Sequence, residues 1–129
     1  MTTAALASIL AAFVLSFVVI FQILLAIGLP LGQGAWGGKH QVLPPHLRVA
    51  SAASSLLLGL AIWIVLARTG LVTIPWQPSA VRVATWVVFS FLALNTLSNL
   101  VSKSRIERRV MTPVALVCSI CFLVVALSS

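Results

Sequence analysis

The sequence predicts an all-α membrane protein, a four-transmembrane-helix bundle with both termini on the outer side. Three observations predict it. Of the 129 residues, 61% are hydrophobic and 7% charged, where an average soluble domain carries about 25% charged residues; the chain lacks the polar surface to cover a water-soluble globule. Its apolar residues gather in runs close to the roughly 20 residues that a helix needs to cross a bilayer. Its basic residues fall between those runs and divide unequally between the two sides.

Four segments qualify as spans, and hydrocarbon, which offers no partner to free backbone groups, makes each a helix. The first runs from about Leu6 to Leu29, closed by Gly28 and Pro30. The preceding "MTTAALAS" lacks the positive region of a secretory signal and the apolar run is too long for one, so this segment reads as a true span. The second covers Val49 to Ala67, with Pro44 and Pro45 before it and Gly70 after it. The third covers Val83 to Val101, with Pro75 and Pro78 in the connection that leads to it. The fourth and shortest covers Pro113 to Leu127, with Thr112 as N-cap and Pro113 at the first helical position. Residues 1–129 thus form a single transmembrane domain, with no long-period repeat and no separate soluble unit.

The connections after the first and third helices share one side of the membrane. They hold Lys39, Arg48, Lys103, Arg105, Arg108 and Arg109, whereas the connection after the second helix is flanked only by Arg68 and Arg82. Lys and Arg accumulate in cytoplasmic loops, so the basic connections are expected inside a bacterial inner (cytoplasmic) membrane and both termini outside. Trp63, Trp76 and Trp86 then fall near the outer boundary and Trp36 near the inner one, as interfacial anchors. The net charge of +7 is accounted for by orientation, and no nucleic-acid partner is expected.

The motifs that could carry chemistry do not do so here. In "GQGAWGGKH", Gly32, Gly34 and Gly37 match G-x-G-x-x-G, but the run follows a membrane span and leads into "QVLPPH", with no strand before it and no helix directly after it. A phosphate-binding loop ending in Gly38-Lys39 would need glycine where Gln33 stands and Ser or Thr where His40 stands. The glycines are read as a sharp turn at the bilayer surface. "CSIC", Cys118 to Cys121, lies mid-span without a second cysteine pair to exchange electrons with, so the two are small packing residues. Glu107, the only acidic residue, stands among basic neighbours in "SKSRIERRV" and is expected in a surface salt bridge. With His40 and His46 it makes too thin a set for a metal, and no catalytic residue and no cofactor is assigned.

Polar residues within the spans cluster in the half next to the basic connections: Gln22, then Ser51, Ser54 and Ser55, then Asn95, Ser98, Asn99 and Ser102. The last four follow i, i+3, i+4, i+7 spacing and form one stripe that should face protein, because amides facing lipid would lack partners. At that end Lys39, His40, His46 and Arg48 could meet Lys103, Arg105, Arg108 and Arg109, with Asn95, Asn99 and Glu107, around a polar pocket for an anionic lipid headgroup. The competing reading makes the polar groups interhelical glue and the cations orientation signals.

"AWGGKHQVLPPHLRVAS" and "LNTLSNLVSKSRIERRVMTPVAL" resemble an uncharacterised group of small bacterial four-span membrane proteins. The shared pattern is the A-W-G-G-basic run, L-P-x-x-L-R leading into the second helix and N-x-x-S-K-S-x-x-E-R-x-x-x-x-P-V leading into the fourth. The resemblance implies a bacterial inner membrane and a four-helix unit, and carries no activity across. Small multidrug exporters are a poorer likeness, since they need a glutamate in the first helix. The expected function is a non-catalytic module that binds an anionic lipid headgroup or a membrane-protein partner and self-associates. The alternatives are an oligomeric channel or transporter past Asn95, Ser98 and Asn99, and a lipid-modifying enzyme using His40, His46 or Glu107.

Overall fold

The computed structural model describes residues 1–128. Four long helices make up the chain: α1 (Thr3–Ala26), α2 (Pro45–Arg68), α3 (Pro78–Leu100) and α4 (Thr112–Leu127), the last entered through a π-turn over Glu107–Met111. All four, taking the last as Glu107–Leu127, are long and apolar enough to cross a membrane. They form a ring in which α1 packs on α2 and α4, and α3 packs on α4 and more sparingly on α2.

The bundle is apolar outside, and inside it mixes small and polar residues with a packed apolar core. Phe13, Phe17, Leu56, Val87 and Leu94 are exposed, while Ser8, Ala11, Ser51 and Thr85 are fully buried. Lipid tails attract apolar side chains as well as a protein core does, so membrane helices associate through close packing and internal hydrogen bonds. The hydroxyl of Ser8 accordingly donates to Ala5 O at 2.7 Å and lies 2.9 Å from Thr69 Oγ1, tying α1 to α2. Towards the terminal end, Leu15, Leu58, Leu92 and Phe122 close the bundle as a packed apolar core that also takes in Cys118 and Cys121. Both cysteines are buried and unbridged.

Helix ends differ from the expected ones in a way that local chemistry explains. α1 stops at Ala26 in place of Leu29, because Gly28 N–H reaches Leu25 O and Leu29 N–H reaches Leu24 O, the paired bonds that end a helix on a glycine. Gly70 and Leu71 end α2 in the same manner. α2 begins at Pro45 and α3 at Pro78, several residues earlier than hydropathy alone indicates. Proline has no N–H to lose at the first helical position, so a polar first turn can precede the apolar run. His46 and Arg48 therefore sit on a helix and not in a loop.

The start of the fourth helix is a correction. Thr112 is not an N-cap: helical backbone begins at residue 105 and Ser104 is the cap, its carbonyl receiving Arg108 N–H at 3.1 Å and its hydroxyl receiving Glu107 N–H at 3.4 Å. Pro113 would press on the carbonyl four residues back in a regular helix. The chain widens there into the π-turn, and Thr112 donates from both its backbone N–H and its hydroxyl to Glu107 O.

Candidate functional site

The connection from α1 to α2 folds back over the end of the bundle. Gly32 and Gly34 are buried, and a Cβ on Gly34 would stand 3.0 Å from Phe21 Cζ and 3.3 Å from Met111 Cε. These two glycines permit close approach and do not make the sharp turn; Gly37 and Gly38 do that, at φ of 81° and 72°. The Ser104 hydroxyl donates to Gln33 O, and a Cβ on Gly38 would lie 2.6 Å from Ser104 Cβ. The two basic connections are thus docked on each other at one end of the molecule.

Trp36 is held at φ 54°, a left-handed conformation that a bulky residue adopts only when its surroundings enforce it. Its indole N–H donates to Ser51 Oγ at 2.9 Å. The ring therefore belongs to the bundle as well as to the interface expected for it.

Beneath this cap lies a chamber of about 330 Å³, reached by residues from every helix and from the folded-back connection. Its polar lining consists of Gln22 from α1, Ser54 from α2, Asn95 and Asn99 from α3, Glu107 and the indole of Trp36. Asn99 and Glu107 are 7% and 8% exposed. The Gln22 amide oxygen is buried without a hydrogen-bond partner. Leu15, Leu58, Leu92 and Cys118 form the floor.

Glu107 is the second correction. It is not in a surface salt bridge: its carboxyl is buried and accepts from Ser102 Oγ at 2.6 Å, while Ser102 Oγ accepts from Ser104 N–H at 3.1 Å. Ser104 and Glu107 form the S-x-x-E pattern in which the third helical residue reaches back towards the cap amide, here through one intervening hydroxyl. That spacing was the available signal in the sequence for an inward-turned Glu107. Arg108 donates instead to Ser102 O at 2.8 Å.

The basic residues frame this end but do not line the chamber. Lys39, His40, His46, Lys103, Arg105, Arg108 and Arg109 are exposed. Arg48 is half-buried and its Nε donates to Ala26 O at 2.9 Å, serving the last turn of α1, where free carbonyls favour a cation. Of the polar stripe on α3, Asn99 is buried, Ser102 half-buried, Asn95 exposed at the chamber wall and Ser98 exposed. Among the described residues no three His, Cys, Asp or Glu side chains are placed to hold a metal ion.

No protein-family model matches this chain, nor does any curated protein or solved structure. The four spanning helices define it as a small multi-pass integral membrane protein.

Proposed function

We propose that this chain is a non-catalytic module of a bacterial inner membrane, termini outside, whose basic end holds anionic phospholipid headgroups. One observation carries the reading. Five Lys and Arg side chains, Lys39, Lys103, Arg105, Arg108 and Arg109, are exposed at one end of the bundle, and the only carboxyl that could neutralise them is turned inside against Ser102. A basic residue beside an anionic leaflet contributes about 1 kcal/mol, so five together favour an anionic over a zwitterionic surface by up to about 5 kcal/mol, and the preference weakens with salt.

The test compares retention of phosphatidylglycerol and phosphatidylcholine by the purified protein, read by native mass spectrometry. Lys39, Arg105 and Arg109 are replaced with glutamine, because Arg108 has a backbone partner of its own. The wild-type chain is expected to retain phosphatidylglycerol selectively and the triple variant to lose that selectivity. Equal retention by both proteins, with helicity unchanged, overturns the proposal. Transport through a single chain has no support, since Leu15, Leu58, Leu92 and Phe122 pack the bundle on the terminal side of the chamber. An enzyme built on His40, His46 and Glu107 has none either, the histidines being exposed and the carboxyl buried.

A further inference from the structure

The chamber beneath the basic end is chemically unlike the surface above it. Its walls hold a carboxyl group, three side-chain amides, a serine hydroxyl and an indole, and no Lys, Arg or His. The Gln22 amide oxygen has no donor, and a buried acceptor without a partner costs about 1–3 kcal/mol. Nothing in the packing of α1 requires a glutamine there: leucine would fill similar space without that loss. Glu107 brings the sequence's single acidic side chain to the same cavity at the edge of a membrane span, where ionisable groups are rare and mark sites for ligands or ions. The Gln22 oxygen is itself covered by protein, so Glu107 is the group in this cavity that a cation would meet. Phe21, Trp36 and Phe91 also line the space, and aromatic faces within about 6 Å attract an ammonium group.

The route in follows from the fold. α2 and α3 form the loosest seam of the ring, and between them, towards the terminal end, runs an apolar groove of about 710 Å³ bordered by Trp76, Val83 and Val87. Leu57, Leu58 and Phe91 line both the groove and the chamber, so the two adjoin at these side chains. A cation approaching from water would meet the exposed lysines and arginines of the basic end first. An apolar body carrying a charged head can instead enter sideways from the lipid.

We propose that the chamber is a binding site for a lipophilic amine, its ammonium group paired with the Glu107 carboxyl and its apolar body lying against Leu57, Leu58 and Phe91. The volume of the chamber is at the lower end of the roughly 300–1,000 Å³ of small-molecule sites. This site is separate from the headgroup-binding surface and takes the opposite charge.

The experiment uses the full chain in phosphatidylcholine nanodiscs, with empty nanodiscs subtracted for partition into lipid. The absence of anionic lipid there makes the result independent of the headgroup proposal. The probes are 1-aminoadamantane and 1-adamantanol, cages of one shape that differ in charge. The amine is expected to bind saturably, one per chain, at least tenfold more tightly than the alcohol. Glu107→Gln is expected to weaken the amine tenfold or more and leave the alcohol within threefold. Asn95→Leu changes an exposed residue at the chamber wall, leaves packing intact and is expected to weaken both. Absence of saturable amine binding to the wild-type chain, or equal affinity for the two cages, overturns the proposal without recourse to any variant. An amine affinity that survives both Glu107→Gln and Asn95→Leu overturns the placement of the site.

Discussion

Replacing Ser102 with alanine tests how the basic end is held in shape. Its hydroxyl makes two bonds at once, accepting Ser104 N–H at 3.1 Å and donating to Glu107 Oε1 at 2.6 Å. The first joins a cap amide near the surface that water can serve instead, so its loss costs about 0.5–1 kcal/mol. The second supports a side chain that is only 8% exposed. A bond of this kind contributes about 1 kcal/mol between neutral groups and up to about 3 kcal/mol when one is charged. Both depend on one hydroxyl in one network and do not simply add, so Ser102→Ala is expected to lower stability by about 2–3 kcal/mol. Ser104→Ala removes the cap of the fourth helix, worth about 1 kcal/mol, and an exposed bond to Gln33 O that water replaces. It should cost less, about 1–2 kcal/mol. Ser90→Ala, at an exposed site bonded only to its own helix, should stay within about 0.5 kcal/mol of wild type. Reversible unfolding in mixed micelles at rising dodecyl sulfate, followed by far-ultraviolet circular dichroism, measures all three. If Ser102→Ala matches Ser90→Ala, or costs less than Ser104→Ala, the relay from Ser104 through Ser102 to Glu107 does not hold this end together.

Three further outcomes are expected. Gln22→Leu removes a buried acceptor that has no donor and should raise stability by about 1 kcal/mol or more in the same unfolding assay; a destabilised variant would mean that the amide has a partner in the membrane. Gly37→Ala and Gly38→Ala both place a Cβ at positive φ, at about 1–2 kcal/mol, but only the Gly38 Cβ would meet Ser104. Gly38→Ala should therefore be clearly the more damaging, and equal midpoints would contradict the docking of the two connections. With Cys118 and Cys121 replaced by alanine, single cysteines at Lys39 and Arg109 should both resist an impermeant thiol reagent applied outside intact cells, and one at Gln77 should react; labelling of Lys39 or Arg109 positions would reverse or break the proposed orientation.

The spans, the closing glycines and the concentration of charge at one end were legible because each depends on neighbours in sequence. Twenty-odd apolar residues make a spanning helix wherever they pack, and Gly28 or Gly70 ends one through bonds to residues no more than five positions away. The helix starts were less legible, since Pro45 and Pro78 open helices whose first turns are too polar for hydropathy to include. Ser104-x-x-Glu107 was a readable cap signal overshadowed by the four basic residues around it.

What the tertiary structure alone decided is which polar groups face which solvent. Composition determined that Gln22 and Asn99 must find partners or a cavity, because lipid supplies none. It did not determine that Trp36 would reach Ser51, that Gln33 would meet Ser104 across 71 residues, or that the lysines and arginines would stay outside the chamber. Those outcomes follow from two connections folding onto each other, and such long-range closure is set by shape and packing at the end of the bundle, which no local pattern of residues encodes.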